Sequence, residues 1–201
     1  MTKSSTKADL PPTGRAGLPT GQAGKKTLTA EEREDLLRAS WYDHDSRWYA
    51  AVADAIGFEV ANRLNSRAVR ALAKAEMRRL ATQLGVKGPS TIEELVSLLE
   101  TARDLYVPPP LMKVEFRIVD DSSYEIELDE CFVARHVVKA RMARHYLCAV
   151  PERIAGWHEA LGLPLRQRPP ALSCTLVRGL GCRRQFQVQW TKAGRDGDKG
   201  G

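Results

Sequence analysis

Residues 29–110 carry apolar positions spaced three or four residues apart, the pattern typical of amphipathic helices. Thr29 and Glu32 have the spacing of a capping box, which predicts the start of the first helix. The polar stretch Asp43-His44-Asp45 predicts the end of that helix and the N-cap of a second one, which ends at Gly57. The chain therefore begins with a predicted helical pair.

A third, longer helix is predicted from about Phe58 to Leu84, with Gly85 after its last turn. Ser90 and Glu93 have the spacing of another capping box and predict a fourth helix, which ends before three prolines. The basic residues of the third helix share one ridge: Arg63, Arg67, Arg70, Lys74 and Arg78. This ridge is interpreted as an ion-paired or solvated face, with phosphate binding as the alternative, because the surrounding half is net acidic.

After residue 110 the apolar period changes from helical spacing to alternation. Residues Met112–Ile118 and Tyr124–Leu128 alternate with polar residues around a polar turn, which predicts a hairpin with one buried face. A basic amphipathic helix is predicted over Phe132–Met142, and Pro151 opens a further short helix that Gly162 closes.

A last hairpin is predicted from residues Leu172–Val177 and Gln185–Trp190, joined by the turn Arg178–Gly181. Four helices, a hairpin, more helices and a second hairpin predict an α+β fold with a four-stranded antiparallel sheet. The sheet would consist of the two hairpins, with helices between them.

The composition predicts one folded domain with a flexible segment at each end. With 201 residues and 43% hydrophobic content, the chain is long enough to bury one substantial core. Residues 1–28 are rich in Thr, Ser, Lys, Gly and Pro, so a disordered basic leader is expected there. The single α+β domain is placed at residues 29–190, followed by a disordered tail at 191–201. No apolar stretch resembles a signal peptide or a membrane span, so a cytoplasmic location and no membrane partner are expected.

Charge is distributed unevenly along the chain. Residues 131–190 hold ten basic against two acidic residues, whereas residues 29–130 hold 13 basic against 20 acidic residues. The two end segments carry most of the net charge of +6. This distribution favours a local site for a small anionic molecule over a nucleic-acid surface on the folded part.

All the cysteines and three of the four histidines lie within residues 131–182; the cysteines are Cys131, Cys148, Cys174 and Cys182. Four converging thiolates would hold zinc or an iron–sulfur cluster, but no Cys-x-x-Cys pair is present. Reduced core thiols and reactive thiols are the alternatives, and Arg183 and Arg184 directly after Cys182 would favour thiolate.

A second group of candidate residues lies in the helical half. His44 is flanked by two aspartates, and the pairing with Asp45 suits a general base that a carboxylate orients. Capping is the alternative role for both aspartates. Asn65 and Glu76 lie near the apolar stripe of the third helix, where a polar side chain either is hydrogen-bonded in the core or lines a pocket.

These residues carry a family resemblance over about residues 36–190. The motif consists of Trp41, His44, Asp45, Trp48, Ala61, Asn62, Leu64, Asn65, Arg67, Glu76, Leu84, Gly85, Cys131, Arg141, Cys148, Cys174 and Cys182. It resembles a family of small bacterial cytosolic proteins that are similar to L-2-amino-thiazoline-4-carboxylic acid hydrolase. The resemblance implies opening of a thiazoline ring to an S-carbamoyl cysteine product.

The leading hypothesis is a hydrolase-like domain that binds a small anionic ligand, thiazoline- or cysteine-derived, in a pocket lined by Cys, His and Arg. The predicted catalytic residues are His44, Asp45 and Glu76; the predicted ligand-binding residues are Trp48, Asn65, Arg141, Arg183 and Arg184; the predicted metal ligands are Cys131, Cys148, Cys174 and Cys182. The alternatives are a non-catalytic module with structural zinc and a non-specific nucleic-acid-binding protein.

Overall fold

The computed structural model describes residues 27–170 and 174–190. The predicted tail, and the predicted leader up to residue 26, lie outside these ranges. Contacts divide the described chain after Leu37, and the residues from Arg38 onward belong to one compact unit. The elements are α1 (Ala30–Ile56), α2 (Phe58–Leu84), α3 (Ile92–Tyr106), β1 (Met112–Asp120), β2 (Ser123–Cys131), α4 (Phe132–Lys139), α5 (Val150–Ala160), β3 (Leu165–Arg168), a 3₁₀ turn (Leu176–Arg178) and β4 (Cys182–Val188).

The α+β class predicted from the sequence is confirmed. Three helices come first, and the four strands form one antiparallel sheet in the order β1-β2-β4-β3. The predicted first hairpin is present, with Phe116 opposite Ile126 in its register. One buried core joins the sheet to α2, α3, α4, α5 and the second half of α1.

The predicted break at Asp43-His44-Asp45 is wrong, because α1 runs without interruption through these residues to Ile56. All three side chains are exposed. An exposed Asp or His in a helix interior disfavours the helix by only about 0.7 kcal/mol or less, which tertiary packing overrides. Tyr42 and Tyr49, seven residues apart, are buried on one face of α1 and hold it against the core.

Helices α2 and α3 lie where the sequence predicts them. Gly85 adopts a left-handed conformation at the end of α2, with φ of 68°. The cap of α3 differs by one residue from the predicted one: Thr91 accepts from the backbone of Glu94, and the Glu94 carboxylate accepts from the backbone of Ser90.

Part of the basic ridge on α2 forms ion pairs with α5. Arg70 pairs with Glu152 at 3.1 Å and also contacts Glu159, and Lys74 pairs with Glu159 at 3.0 Å. The ion-paired interpretation therefore holds for Arg70 and Lys74.

The second hairpin differs from the prediction. Strand β4 shows the expected alternation, but its antiparallel neighbour is Leu165–Arg168 rather than residues 172–177. Residues 171–173 lie outside the described ranges, and Leu176–Arg178 forms a 3₁₀ turn. The reason is non-local: one edge of β4 pairs with β2, and its other edge forms backbone hydrogen bonds with a segment that has only weak apolar alternation of its own.

Candidate ligand-binding site

A cavity of about 660 Å³ lies between the sheet and the helices. Its walls come from α1, α2, the end of α3, strands β1 and β2, α4 and α5. Most of the lining is apolar or aromatic, including Tyr42, Phe116, Phe132, Tyr146 and Trp157. The elements that form the core thus leave an internal space with an apolar wall.

A buried carboxylate supports one wall of the cavity. Glu76 on α2 is only 6% exposed and accepts three hydrogen bonds. Two come from Nη1 of Arg153, at 2.9 and 3.2 Å, and one comes from Nε1 of Trp157 at 3.0 Å. Both partners lie on α5 and line the cavity. The buried Glu76 carboxylate forms an ion pair with Arg153 and accepts a hydrogen bond from Trp157, and these bonds hold both side chains in place at the cavity wall.

Tyrosine hydroxyls connect the helices around the same cavity. The Tyr42 hydroxyl donates to the carbonyl of Tyr106 at 2.6 Å, and the Tyr106 hydroxyl donates to the carbonyl of Glu76 at 3.1 Å. The Tyr49 hydroxyl donates to Oδ1 of Asn62 at 2.9 Å. These bonds satisfy buried polar groups and tie α1 to α2 and α3.

Asn62 holds the segment between α4 and α5 in place. Its side chain donates to the carbonyl of His145 at 2.7 Å and accepts from the backbone of Leu147 at 2.9 Å. Tyr146, which lies between these two residues, points its ring into the cavity lining. Burial raises the pKa of Tyr146 well above its ordinary value, so the phenol stays neutral.

The exposed part of the lining comes from α1 and α4, so the cavity meets solvent between these two helices. Asp43, Asp45 and Arg47 lie on the α1 side, and His136 and Lys139 lie on the α4 side. Partial burial raises the pKa of Asp45, although the positive charges of Arg153 and His44 oppose this shift.

The structure brings part of the predicted helical group to the cavity. Asp45 and Asn65 line it, and Glu76 lies directly behind Arg153. His44 is next to Asp45 but is exposed outside the lining, as is Trp48. The catalytic and binding roles assigned to these five residues stay predictions.

The predicted anion-binding arginines lie outside this cavity. Arg183 on β4 pairs with Glu125 at 3.2 Å and with Glu127 at 2.8 Å, both on β2. Arg184 is 3% exposed, and its Nε has no hydrogen-bond partner within residues 27–170 and 174–190. Arg141 follows α4 with φ of 58°, outside the lining. No observation ties these three to a ligand.

The four cysteines are free thiols. Cys131 interacts electrostatically with Cys174 and Cys182, and Cys148 interacts with Cys131 and Cys174, so the four thiols lie near one another. A hydrogen bond from Cys148 lowers the pKa of Cys174 to about 6, and the positive charge of Arg184 adds to this effect. Burial raises the pKa of Cys131 to about 11, with Cys174 and Cys182 close enough to add to the shift. The fold therefore brings together cysteines that are far apart in the sequence.

No group of three or more His, Cys, Asp or Glu side chains in the described part of the chain is arranged to hold a metal ion. Zinc or an iron–sulfur cluster at Cys131, Cys148, Cys174 and Cys182 therefore stays a prediction. None of the helices that the structure describes has the length and apolar content to cross a membrane.

The sequence analysis missed Arg153, a charged residue that lines the cavity and is paired with Glu76. In the sequence Arg153 is an ordinary basic residue of a short predicted helix, and no neighbouring residue or motif identifies it as part of a binding site. The available signal was Glu76, because a carboxylate on an apolar helix stripe requires a cationic or donor partner elsewhere in the chain.

Comparisons with known proteins find similar solved structures but do not assign the chain to a family. No family model and no curated protein matches the chain. A crystal structure of trafficking protein particle complex subunit 3 from Naegleria fowleri, covalently bound to palmitic acid, is 12% identical over 80% of this chain and 97% of its own, with a TM-score of 0.49. The phenol-responsive sensory domain of the transcription activator PoxR, with phenol, is 17% identical over 76% of this chain and 78% of its own, with a TM-score of 0.53. The chain is thus similar in fold to the PoxR sensory domain.

Proposed function

We propose that this domain binds a small, largely apolar molecule in the cavity between its sheet and its helices. The observation that carries the proposal is the cavity itself, about 660 Å³ with a mostly apolar lining. Protein sites for small molecules have volumes of roughly 300–1,000 Å³, apolar walls and a few placed polar groups. An apolar molecule would gain by leaving water for such walls.

The arrangement of the polar groups supports the same proposal. Arg153, Asn65 and Asp45 reach one space from three different helices, and their surroundings are otherwise apolar. Such convergence orients a ligand and selects its polar group. The similarity in fold to a sensory domain that is described with phenol supports small-molecule binding further.

The test is to fill the cavity and measure binding. Val133 lines the cavity on α4 and is half-buried, so Val133→Trp would place an indole in the ligand volume. Val138 lies on the same helix, is 53% exposed and does not line the cavity, which makes Val138→Trp the matched control. The probe is N-phenyl-1-naphthylamine, a neutral dye that fluoresces in apolar surroundings.

We expect the wild type and Val138→Trp to bind the dye at one site with similar affinity. Val133→Trp should bind it at least about tenfold more weakly, because the indole removes space and apolar contact area. If Val133→Trp folds and binds the dye as the wild type does, the cavity is not the binding site.

A more specific version of this proposal is that the domain hydrolyses its ligand, and the family resemblance supports this version. A thiazoline carboxylate is small enough for this cavity, and Asp45 would contact it directly, with His44 on its outer side. Incubation with L-2-amino-thiazoline-4-carboxylic acid should then yield S-carbamoyl cysteine. Asp45→Asn should abolish the product while leaving dye binding intact.

Structural zinc is a second candidate function, and the approach of the four thiols to one another favours it. Four thiolates in tetrahedral coordination form a closed zinc site. The buried guanidinium of Arg184 would offset part of the negative charge of such a site. Because the thiols as they stand are not arranged around a metal, zinc binding would require their side chains to rotate toward one point. Protein purified without oxygen should then contain one zinc per chain, and Cys148→Ser should lose it.

A further inference from the structure

We propose that the ligand of the cavity is a monocarboxylic acid with an apolar body, whose carboxylate is held by the guanidinium of Arg153. This inference rests on the proposed function, because it assigns the chemical class of the molecule in the same cavity. It differs from the sequence prediction in the residue that holds the anion, since Arg141, Arg183 and Arg184 lie outside the lining.

The first step of the argument concerns the unused donors of Arg153. A guanidinium carries five N–H donors, and in Arg153 only Nη1 is engaged, by the two oxygens of Glu76. No other hydrogen bond or ion pair of its side chain is formed within residues 27–170 and 174–190. The side chain is only 12% exposed and lines the cavity. The Nε and Nη2 donors face the cavity, where the acceptor of a ligand can bind them.

The second step concerns geometry. Glu76, which also accepts a hydrogen bond from Trp157, holds Nη1 of Arg153 from behind and leaves the Nε and Nη2 side of the planar group unengaged. Two parallel N–H groups on one side of a guanidinium match the two oxygens of a carboxylate. A preorganised side chain loses little conformational entropy when the ligand binds, and this favours affinity.

The third step concerns charge. The lining contains four cationic side chains, Arg47, Arg103, Lys139 and Arg153, against the carboxylates of Asp43 and Asp45. Arg103 pairs with Asp104 and Glu100, and Arg153 pairs with Glu76, so Arg47 and Lys139 remain to balance Asp43 and Asp45. Arg47 and Lys139 form no ion pair in the described part of the chain. The lining therefore carries no excess of negative charge that would repel a carboxylate, and the unengaged donors of Arg153 favour an anion over an amine.

The fourth step selects a carboxylate over a phosphate. The remaining lining is apolar, and Arg103 is already engaged with the carbonyl of Val114 at 3.0 Å and with Asp104. One guanidinium side satisfies two oxygens and would leave the other oxygens of a phosphate without donors. Asp45 also lines the cavity, and partial burial raises the pKa of its carboxyl, which lessens the repulsion between Asp45 and a bound anion.

The experiment compares two probes with the same apolar body, decanoate and decanol, on the full chain at neutral pH. Each competes with N-phenyl-1-naphthylamine for the cavity, and the measured quantity is the ratio of the two affinities. Three variants are compared with the wild type. Arg153→Lys keeps a positive charge for Glu76 but removes the paired donors, and the double variant Arg153→Met with Glu76→Gln removes both charges together. Arg135→Lys on α4 is the control, because Arg135 is exposed and outside the lining.

We expect the wild type and Arg135→Lys to bind decanoate about 10- to 100-fold more tightly than decanol, the range for charge-assisted hydrogen bonds. In Arg153→Lys and in the double variant this ratio should fall to about threefold or less, while decanol affinity stays within about threefold of the wild type. A structural role alone would weaken both probes equally.

Equal affinity of the wild type for the two probes would overturn the carboxylate assignment and leave the proposed function standing. The assignment also fails if the ratio persists in whichever of the two Arg153 variants folds. If neither probe displaces the dye and the dye itself does not bind, the proposed function fails as well.

Discussion

The close approach of α5 to α2 at Gly156 makes a sharp prediction about stability. Gly156 is buried in α5, and a Cβ built on it would lie 2.5 Å from the carbonyl oxygen of Arg70 and 2.7 Å from Cβ of Ala73. Both neighbours belong to α2, and neither is the end of a flexible side chain. Gly156→Ala should therefore destabilise the protein, although alanine is the better helix former.

The size of the effect follows from two opposing contributions. Ordinary contact begins at 3.4 Å, so the helices would have to separate by about 0.9 Å to admit the methyl group. Overpacking of this kind costs about 1–3 kcal/mol, and the higher helix propensity of alanine returns about 0.5–1 kcal/mol. These ranges leave a net loss of about 0–2.5 kcal/mol. Because the nearest neighbour is a backbone carbonyl oxygen, which cannot turn aside as a side chain can, we expect about 1–2 kcal/mol, which lowers Tm by about 2–8 °C for a chain of this size.

The assay is urea unfolding followed by circular dichroism, with dye binding measured on the same samples. Separation of α5 from α2 would also lengthen the bonds from Arg153 and Trp157 to Glu76, so dye affinity should fall together with stability. Gly181→Ala is the control, because nothing lies within 4 Å of a Cβ at that position. A Gly156→Ala variant as stable as the wild type, or more stable, would refute the close packing of these helices.

Three further predictions concern single side chains. Burial lowers the pKa of His158 to about 4. Below about pH 6.5 the unfolded chain therefore takes up a proton at this residue, whereas the folded chain does not. The free energy of unfolding should fall by at most about 3 kcal/mol as the pH drops from about 6.5 to about 4. His158→Gln should flatten ΔG of unfolding across that window, and an unchanged slope would contradict the assignment. Thr91→Ala should lose about 1 kcal/mol of stability by chemical unfolding because it removes the N-cap of α3, whereas Thr91→Ser should retain most of it. Ultraviolet thiolate absorbance should show a transition near pH 6 that Cys174→Ser removes and that Cys148→Ala moves to higher pH.

Much of the secondary structure could be predicted because its signals are local. The apolar stripe and terminal glycine of α2, the prolines after α3 and the alternation of β1 and β2 each lie within a few turns of the chain. Such patterns reflect which face of an element must be buried, and that requirement does not depend on the partner.

The two errors of the fold arose where local signals compete with packing. Asp43-His44-Asp45 looks like a helix boundary, but Tyr42 and Tyr49 anchor α1 on both sides of it. Strand β3 has little strand character of its own, and it pairs because β4 has an open edge. In both cases the energy of tertiary contacts exceeds a local preference of a few tenths to about 1 kcal/mol.

The fold class, most of the helices and the polar candidates Asp45, Asn65 and Glu76 could be predicted from the sequence alone. Tertiary packing was needed to show that Asp45 and Asn65 face one cavity, that Arg153 is the partner of Glu76 behind the cavity wall, and that Arg183 belongs to a surface ion-pair network. Local periodicity records the burial of a side chain, whereas a binding site depends on which buried faces meet. Glu76 and Arg153 are 77 residues apart, and no local pattern connects them.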